Sequence, residues 1–259
     1  MAVVPLREPS ELRSWIEASA ATDPDDLTVP TPYGPELDDL HHLYALARRT
    51  AAVSVLEFGS GWSTLVLALA IEENAISFGE TYDVRHPNPF QLLSVDVSEE
   101  YSARSFGRLP EALQRRVVPH VSSARLVEYA GRWASLFDSL PPFVADLIYL
   151  DGPEPGQVDG REDGFELEDP HGLPIAADLL RLEPMLWPET TVVIDGRTAN
   201  ARFLQTNLQR RWDHLRDPYG DRTTLFLDET PFGEISARHL AVRRRLGREL
   251  LGKPSKNLV

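Results

Sequence analysis

Cysteine is absent from the 259 residues of the chain. Its absence excludes a disulfide framework, a zinc or iron–sulfur site with cysteine ligands, and a thiol nucleophile. Any chemistry must therefore come from oxygen and nitrogen side chains or from a bound cofactor.

Long apolar runs are absent as well. No stretch approaches the ~20 apolar residues that span a bilayer, and residues 1–8 show no basic region followed by an apolar one. We therefore expect a cytoplasmic protein with no membrane partner.

Positive charge is scarce, because 26 lysines and arginines face 40 aspartates and glutamates, which gives a formal net charge of -14. A negative field of this kind repels the phosphates of nucleic acids. The basic residues of segment 243–259 are predicted to form a solvated helix end and terminus rather than a nucleic-acid-binding arm. We expect a small-molecule substrate and no nucleic acid, and the sequence leaves a homo-oligomer open.

Short apolar runs alternate with segments of helical spacing from residue 52 onward. This alternation predicts right-handed crossovers and a doubly wound α/β fold, with a mostly parallel sheet covered by helices on both faces. The predicted strands are residues 53–56, 92–95, 117–121, 147–150 and 191–194. At the end of the chain, residues 223–227 and 237–242 are predicted to form an antiparallel hairpin around the turn at residues 231–233.

A glycine-containing turn follows the first predicted strand and precedes an apolar helix. It reads Glu57-Phe58-Gly59-Ser60-Gly61, and glycine at such a turn lets backbone N–H groups approach a ligand closely. Glu57 would repel a dinucleotide pyrophosphate but attract the ammonium group of an amino-acid-like cofactor. Thr64 stands where a dinucleotide fingerprint has its third glycine. Asp96 ends the next predicted strand, where a carboxylate can accept hydrogen bonds from both ribose hydroxyls.

These residues, the run 145–152 and the run 193–196 together resemble class I S-adenosylmethionine-dependent methyltransferases. The resemblance covers residues 50–245 and implies a Rossmann-like methyltransferase fold with a seven-stranded sheet. It divides the chain into a helical extension (1–50), a catalytic domain (51–245) and a tail (246–259). Residues 74–90 and the acidic stretch 152–174 look inserted.

The same resemblance assigns cofactor-binding residues. Glu57 and the turn that contains Gly59, Ser60, Gly61 and Ser63 would hold the methionine moiety. Asp96 would bind the ribose, Ser122 or Ser123 would lie near the adenine, and Asp151 would also contact the cofactor.

Two further acids, Asp151 and Asp195, directly follow apolar strands. The carboxyl ends of parallel strands form the ligand-binding edge of a doubly wound sheet, so both acids are predicted to reach the site, although capping of a helix is an alternative for each. Resemblance to the catechol and macrocin O-methyltransferase branches implies a Mg²⁺ ion held by Asp151 and Asp195. Gly196 and Arg197, however, stand where those branches carry another acid or amide.

A metal-free reaction needs a side chain as general base. Asp151 is the preferred candidate, and Asp195 and His171 are alternatives. Arg197 is predicted to pair with these acids, or else to bind an anionic group of the substrate. The acidic stretch 152–174 is interpreted as a solvated lid, with closure over a cationic substrate as the alternative.

The sequence thus predicts S-adenosylmethionine-dependent O-methylation of a small hydroxylated molecule, such as a sugar or a natural-product intermediate. N-methylation stays open. The alternatives are a nicotinamide-dependent oxidoreductase, an aminopropyltransferase and a non-catalytic nucleoside-binding protein on the same fold.

Overall fold

The computed structural model describes residues 3–19, 35–129, 131–160, 175–217 and 221–251. Its α-helices are α1 (Pro9–Ser19), α2 (Leu37–Arg49), α3 (Trp62–Phe78), α4 (Glu99–Gly107), α5 (Glu111–Gln114), α6 (Asp178–Leu182), α7 (Thr198–Asn207) and α8 (Gly233–Leu250). Its strands are β1 (Ser54–Phe58), β2 (Gln91–Asp96), β3 (Val117–Val121), β4 (Ala124–Tyr129), β5 (Arg132–Phe137), β6 (Leu147–Leu150), β7 (Val158–Asp159), β8 (Thr191–Asp195), β9 (Trp212–Asp217) and β10 (Arg222–Leu227). Within the described segments, no helix is long and apolar enough to span a bilayer.

The main sheet has seven strands in the order β3-β2-β1-β6-β8-β10-β9. Strands β3, β2, β1, β6 and β8 are mutually parallel, and β10 is antiparallel to both β8 and β9. The predicted fold class is therefore confirmed. The chain moves outward from β1 to β3 on one side and then returns to place β6 on the other side of β1. This reversal opens a crevice at the carboxyl ends of β1 and β6, where doubly wound proteins bind their ligands.

Both faces of the central strands are buried, which explains their almost continuous apolar sequence. In β1, Val55 packs into the cluster that contains α1, α2 and α3. Leu56 and Phe58 point to the opposite face and pack with residues of α6 and α7. Full burial of each such side chain contributes about 1.5–3 kcal/mol, so the carboxyl edge that carries the site is built on a rigid layer.

The N-terminal helices share this core. Leu12 of α1 and Leu43 of α2 are almost fully buried in the same cluster as β1. Tyr44 of α2 donates a 2.6 Å hydrogen bond to Glu73 of α3, and the fully buried Arg48 lies 3.3 Å from the same carboxylate. These contacts fix α2 against α3 and so place the first residues of α2 beside the carboxyl edge of the sheet.

The terminal hairpin exists, but its predicted second strand was wrong. Residues 237–242 belong to α8, and the partner of β10 is β9. The spacing of the buried residues of α8 is helical: Ser236, His239, Leu240, Arg243, Leu246 and Gly247. Strand β9 escaped prediction because it lies at the sheet edge, where four consecutive exposed residues after Trp212 hide any apolar alternation.

The two stretches that looked inserted have regular structure in part. Residues 74–78 complete α3, so the first stretch is shorter than predicted. Residues 158–159 of the second stretch form β7, which joins β4 and β5 in a separate three-stranded sheet that the sequence did not predict. Residues 161–174, with the candidate base His171, lie outside the described residues.

Candidate functional site

A cavity of about 620 Å³ lies at the carboxyl ends of β1, β2, β6 and β8. Helices α2 and α4 contribute its remaining sides. The predicted residues Gly59, Ser60, Gly61, Ser63, Asp96, Asp151 and Asp195 all line it. The structure therefore brings these predicted residues together in one cleft, and their roles stay predictions.

The turn of residues 59–61, here called the glycine turn, packs directly against the backbone that follows β6. Gly59 has a positive φ of 92°, and a Cβ there would lie 3.1 Å from the carbonyl carbon of Asp151. A Cβ on Gly152 would lie 2.8 Å from Cα of Gly59. Gly152 thus has no room for a Cβ, and Gly59 is constrained by its positive φ and by a tight contact, so the two backbones meet closely and each fixes the position of the other.

Glu57 lies beneath the glycine turn with no exposed surface. Its Oε2 accepts hydrogen bonds from the hydroxyls of Thr64 (2.6 Å) and Ser94 (2.7 Å). Its Oε1 is buried and has no hydrogen-bond partner among the described residues. Burial raises the pKa of Glu57 to about 7, against the opposing effect of the Ser63, Thr64 and Ser94 hydroxyls. The Thr64 and Ser94 hydrogen bonds both go to Oε2, so Oε1 retains capacity for a further donor.

Side chains below and beside the glycine turn hold its shape. The N–H of Gly61 donates to Oγ1 of Thr64 at 3.0 Å, and the Ser60 and Ser94 hydroxyls lie 2.9 Å apart. Thr64, which occupies the place of a third glycine, thus connects the turn to the Glu57 carboxylate. The sequence placed Glu57 at the ligand surface, whereas the structure places it under the turn.

Asp96 ends β2 and faces the cavity, with 6% of its surface exposed. Its Oδ2 accepts a 2.7 Å hydrogen bond from the N–H of Ser60, and its Oδ1 accepts one of 2.7 Å from the N–H of Ser98. A carboxylate has about four acceptor positions, so these two bonds leave capacity for further donors from the cavity. Asp96 also ties the glycine turn to the end of β2.

Asp151 projects into the cavity with half of its side chain exposed there. Desolvation by the surrounding protein raises its pKa to about 7, and the nearby Asp195 and Glu154 carboxylates add to this effect. The guanidinium of Arg197, 3.8 Å from Oδ1 of Asp151, acts in the opposite direction. A carboxyl group with a pKa near neutrality can both accept and release a proton at physiological pH.

Asp195 lies beside Asp151, at the end of β8. Its Oδ2 accepts a 2.9 Å hydrogen bond from the hydroxyl of Tyr149 in β6. Burial raises its pKa, and the tyrosine bond partly offsets the rise. The bond fixes the orientation of Asp195, and Tyr149 itself lines the cavity.

A resident divalent ion does not fit these acids. No group of three histidine or acidic side chains converges anywhere in the described residues. Asp151 faces the guanidinium of Arg197, and Asp195 accepts a hydrogen bond from the hydroxyl of Tyr149. Neither neighbour adds a negatively charged oxygen ligand. Hard divalent cations need several oxygen ligands, so the predicted Mg²⁺ site at Asp151 and Asp195 gains no support from the donor set.

Ser122 and Ser123, predicted near the adenine, are not among the described residues that line the cavity. The Ser122 hydroxyl donates to the carbonyl of Ser123 (3.0 Å) and accepts from the N–H of Ser139 (3.0 Å). The Ser123 hydroxyl donates to Asp138 at 2.6 Å. Both side chains thus stabilise the turn between β3 and β4, and a contact with the adenine stays a prediction.

Two further sets of residues, each a stripe on one face of a helix, line the cavity. The sequence analysis did not predict them. Helix α4 contributes Tyr101, Arg104, Ser105 and Arg108, and the start of α2 contributes Glu36, Asp39, Leu40 and Leu43. Each set follows the i, i+3, i+4, i+7 spacing of one helix face. This signal is visible in the sequence, but the spacing alone does not tell whether the face meets a ligand or the core.

The stripe on α2 adds negative charge near Asp195. A hydrogen bond with Asp39, burial and the charges of Asp39 and Asp195 all raise the pKa of Glu36. Asp39 is ion-paired with Arg222. We call Glu36, Asp39 and Asp195 the acidic side of the cavity.

Neither a family model nor a curated protein matches the chain. Among solved structures it is similar to the O-methyltransferase TomG from Streptomyces achromogenes, in complex with SAM and involved in tomaymycin synthesis, at 17% identity and a TM-score of 0.46 over 88% of this chain and 92% of that one.

Two further solved structures are similar. An O-methyltransferase from Bacillus cereus in complex with SAH shares 14% identity, with a TM-score of 0.46 over 85% of this chain and 90% of that one. The SAH-bound methyltransferase PaMTH1 from Podospora anserina shares 15%, with a TM-score of 0.45 over 89% and 100%. Likenesses this distant carry no argument about activity, so the function proposed below rests on the site itself.

Proposed function

We propose that the chain is an S-adenosylmethionine-dependent methyltransferase that methylates a hydroxyl group of a small molecule. One observation carries this proposal. The glycine turn and Asp96 line one cavity, directly above the buried carboxylate of Glu57, whose Oε1 has no hydrogen-bond partner within the described part of the chain. That combination suits an amino-acid nucleoside, which brings an ammonium group and two ribose hydroxyls.

The residues fit the cofactor as follows. The N–H groups of Gly59, Ser60 and Gly61 already donate to Val95, Asp96 and Thr64. The methionine carboxylate would therefore bind the backbone N–H groups and the Ser63 hydroxyl in the first turn of α3, where the helix dipole favours an anion. Glu57 would complement the positive charge of the ammonium group from beneath. Asp96 would accept hydrogen bonds from the ribose hydroxyls. The apolar side chains of Val97 and Phe137, which also line the cavity, would contact the adenine.

The bound cofactor supplies an electrophilic methyl group on a sulfonium ion. Asp151 would accept the proton of the acceptor hydroxyl as the oxygen–methyl bond forms and the carbon–sulfur bond breaks. Its pKa of about 7 suits this role near neutral pH. Asp195, whose orientation is fixed by Tyr149, is the alternative base. If Asp151 is the base, Asp195 would bind a second polar group of the acceptor. No step requires a metal ion.

The acceptor would be cationic as well as hydroxylated, for example an aminosugar. This follows from the acidic side of the cavity, where the hydrogen bond with Asp39 and the charges of Asp39 and Asp195 raise the pKa of Glu36. Arg222 pairs with Asp39 and offsets part of the rise in the pKa of Asp195. A cationic amine there would relieve the repulsion between the carboxylates. An amine that loses its proton would instead be methylated on nitrogen, so N-methylation is the second candidate.

Cofactor binding is tested by calorimetric titration with S-adenosylhomocysteine and, separately, with NAD⁺. We expect binding of the first alone, because the Glu57 carboxylate disfavours a pyrophosphate. Glu57→Gln should weaken S-adenosylhomocysteine binding about tenfold, equivalent to ~1.4 kcal/mol, because it removes the negative charge beneath the turn that attracts the ammonium group. Asp213→Asn, on the exposed edge strand β9, is the control and should bind normally.

Other outcomes separate the alternatives. NAD⁺ binding without S-adenosylhomocysteine binding would favour an oxidoreductase and contradict the proposal. Aminopropyl transfer from decarboxylated S-adenosylmethionine, without methyl transfer from S-adenosylmethionine, would favour an aminopropyltransferase. For the acceptor, three cyclic polyols of different charge serve as probes: 2-deoxystreptamine, myo-inositol and glucuronate. The diamine should be the best substrate; preference for glucuronate would contradict the cationic assignment, and cofactor binding without transfer to any acceptor would indicate a non-catalytic protein.

A further inference from the structure

Arg197 follows the end of β8 and is 92% buried at its side chain, since only 8% of it is exposed. Gly196, with a φ of 60°, lets the chain turn sharply before α7 begins at Thr198. The guanidinium does not enter the cavity, because Arg197 is not among the described residues that line it. It extends instead toward the backbone that follows β6.

The guanidinium contacts three residues of this neighbouring segment. Its Nη1 donates to the carbonyl oxygen of Pro153 at 3.0 Å. Its Nη2 donates to the carbonyl oxygen of Asp151 and, at 3.0 Å, to Oε1 of Glu154. Its Nε lies 3.8 Å from the Asp151 carboxylate. Residues 151–154 are here called the Asp151 segment. Both terminal nitrogens of the guanidinium therefore donate hydrogen bonds to this segment.

The opposite side of the Asp151 segment rests on the cofactor turn. The N–H of Asp151 donates to the carbonyl of Phe58 at 3.0 Å, and Gly152 packs against Gly59 without room for a Cβ. The segment is thus held between the glycine turn on one side and Arg197 on the other. Without the guanidinium, the carbonyl oxygens of Asp151 and Pro153 would lose their side-chain donor.

We propose that Arg197 is a positioning residue, which holds the Asp151 segment against the glycine turn so that the Asp151 carboxylate meets the acceptor hydroxyl. This inference rests on the proposed function, because it assigns the proton transfer to Asp151. It replaces the alternative in which Arg197 binds an anionic substrate group. A planar, forked guanidinium suits the task because it can reach several oxygens at fixed angles, whereas a lysine provides a single point of charge.

The test compares Arg197→Met and Arg197→Lys with Arg202→Met, a control at an exposed arginine of α7, the helix that directly follows Arg197. We expect Arg197→Met to lower kcat for methyl transfer to 2-deoxystreptamine about 100-fold, in the range lost when a catalytic group is misplaced by ~1 Å. KM and the Kd for S-adenosylhomocysteine should change less than about threefold, since Arg197 does not belong to the described lining of the cavity. Arg197→Lys should recover part of the loss, and millimolar ethylguanidinium should restore activity to Arg197→Ala.

Hydrogen–deuterium exchange over residues 151–160 gives a readout that does not depend on turnover. Exchange there should increase in Arg197→Met and stay unchanged in Arg202→Met. Unchanged exchange, or an Arg197→Met enzyme with normal kcat, would overturn the inference, as would losses of kcat and cofactor affinity in equal proportion. Failure of the wild-type chain to bind S-adenosylhomocysteine would instead overturn the proposed function, and the exchange comparison would still decide whether Arg197 holds the segment.

Discussion

Two aspartates flank strand β6, and their surroundings are opposite. Asp146, at the amino end, is almost fully buried and accepts hydrogen bonds from Val53 N–H (2.8 Å), His239 (2.6 Å) and Arg243 (3.0 Å). Burial alone would raise its pKa, but the charges of Arg243 and His239 outweigh burial and hold the pKa of Asp146 well below its usual range. This carboxylate joins α8 to the start of the sheet.

Asp151, at the carboxyl end of the same strand, has half of its side chain open to the cavity and one cation 3.8 Å away. Its pKa is raised rather than lowered. An aspartate therefore stabilises the fold where its hydrogen bonds are complete, as at Asp146. It is available for chemistry where they are incomplete, as at Asp151. The topology decides which end is which, because ligands bind at the carboxyl edge of a doubly wound sheet.

Removal of the Asp151 charge should produce the largest effect. Asp151→Asn is expected to lower kcat for methyl transfer by about 10²–10⁴-fold, the usual contribution of a general base. Its stability should not fall, because the substitution removes a carboxylate that lies near Asp195 and Glu154. Steady-state kinetics and urea denaturation measure both quantities. Near-normal turnover would shift the base to Asp195 or His171.

Removal of the Asp146 charge should instead lower stability and leave cofactor binding intact. Asp146→Asn leaves Arg243 and His239 buried without their carboxylate, so we expect a loss of about 3–5 kcal/mol in the free energy of unfolding. The surviving folded fraction should retain its affinity for S-adenosylhomocysteine. Asp213→Asn on β9 is the matched control and should change stability little. A loss for Asp146→Asn as small as that of the control would remove the distinction between the two edges.

The two aspartates also predict opposite pH dependences. Asp151 must be ionised to accept a proton, so kcat/KM should rise with pH through about 7. Because its folded-state pKa lies above the unfolded value of 3.8, any stability it provides is present at low pH and lost as the pH rises toward 7. The stability from Asp146 is present above 3.8 and lost as the pH falls through its depressed folded-state pKa. A pH–rate profile that is flat between pH 6 and 8, on the order of one unit either side of that pKa, would contradict the assignment.

The smallest expected effect concerns the acidic side of the cavity. Glu36→Gln should raise KM for 2-deoxystreptamine about fivefold, equivalent to ~1 kcal/mol, and should leave KM for myo-inositol unchanged. Asp38→Asn removes a charge from an exposed neighbour in α2 that does not line the cavity, and is the control. Equal effects of the two substitutions would mean that only the overall field matters, and not a contact at Glu36.

The sequence predicted the parts of the site that depend on local order along the chain. The glycine turn, Asp96, Asp151 and Asp195 each follow an apolar strand, and parallel pairing brings strand ends together without further information. The same logic predicted the strand-and-helix alternation and the parallel sheet.

Features that depend on tertiary contacts were not predictable in this way. The helix α8 looked like a strand over residues 237–242 because a short apolar run has no periodicity of its own. Strand β9 is too polar to detect at a sheet edge. The stripes of α2 and α4 became recognisable as ligand-facing only once the sheet had fixed their positions.

A crystal structure with S-adenosylhomocysteine tests the central claim most directly. We expect the ribose hydroxyls within hydrogen-bond distance of Asp96, the amino-acid end against the glycine turn above Glu57, and the sulfur facing Asp151. A nucleoside bound elsewhere, or with its ribose turned away from Asp96, would contradict the proposed function.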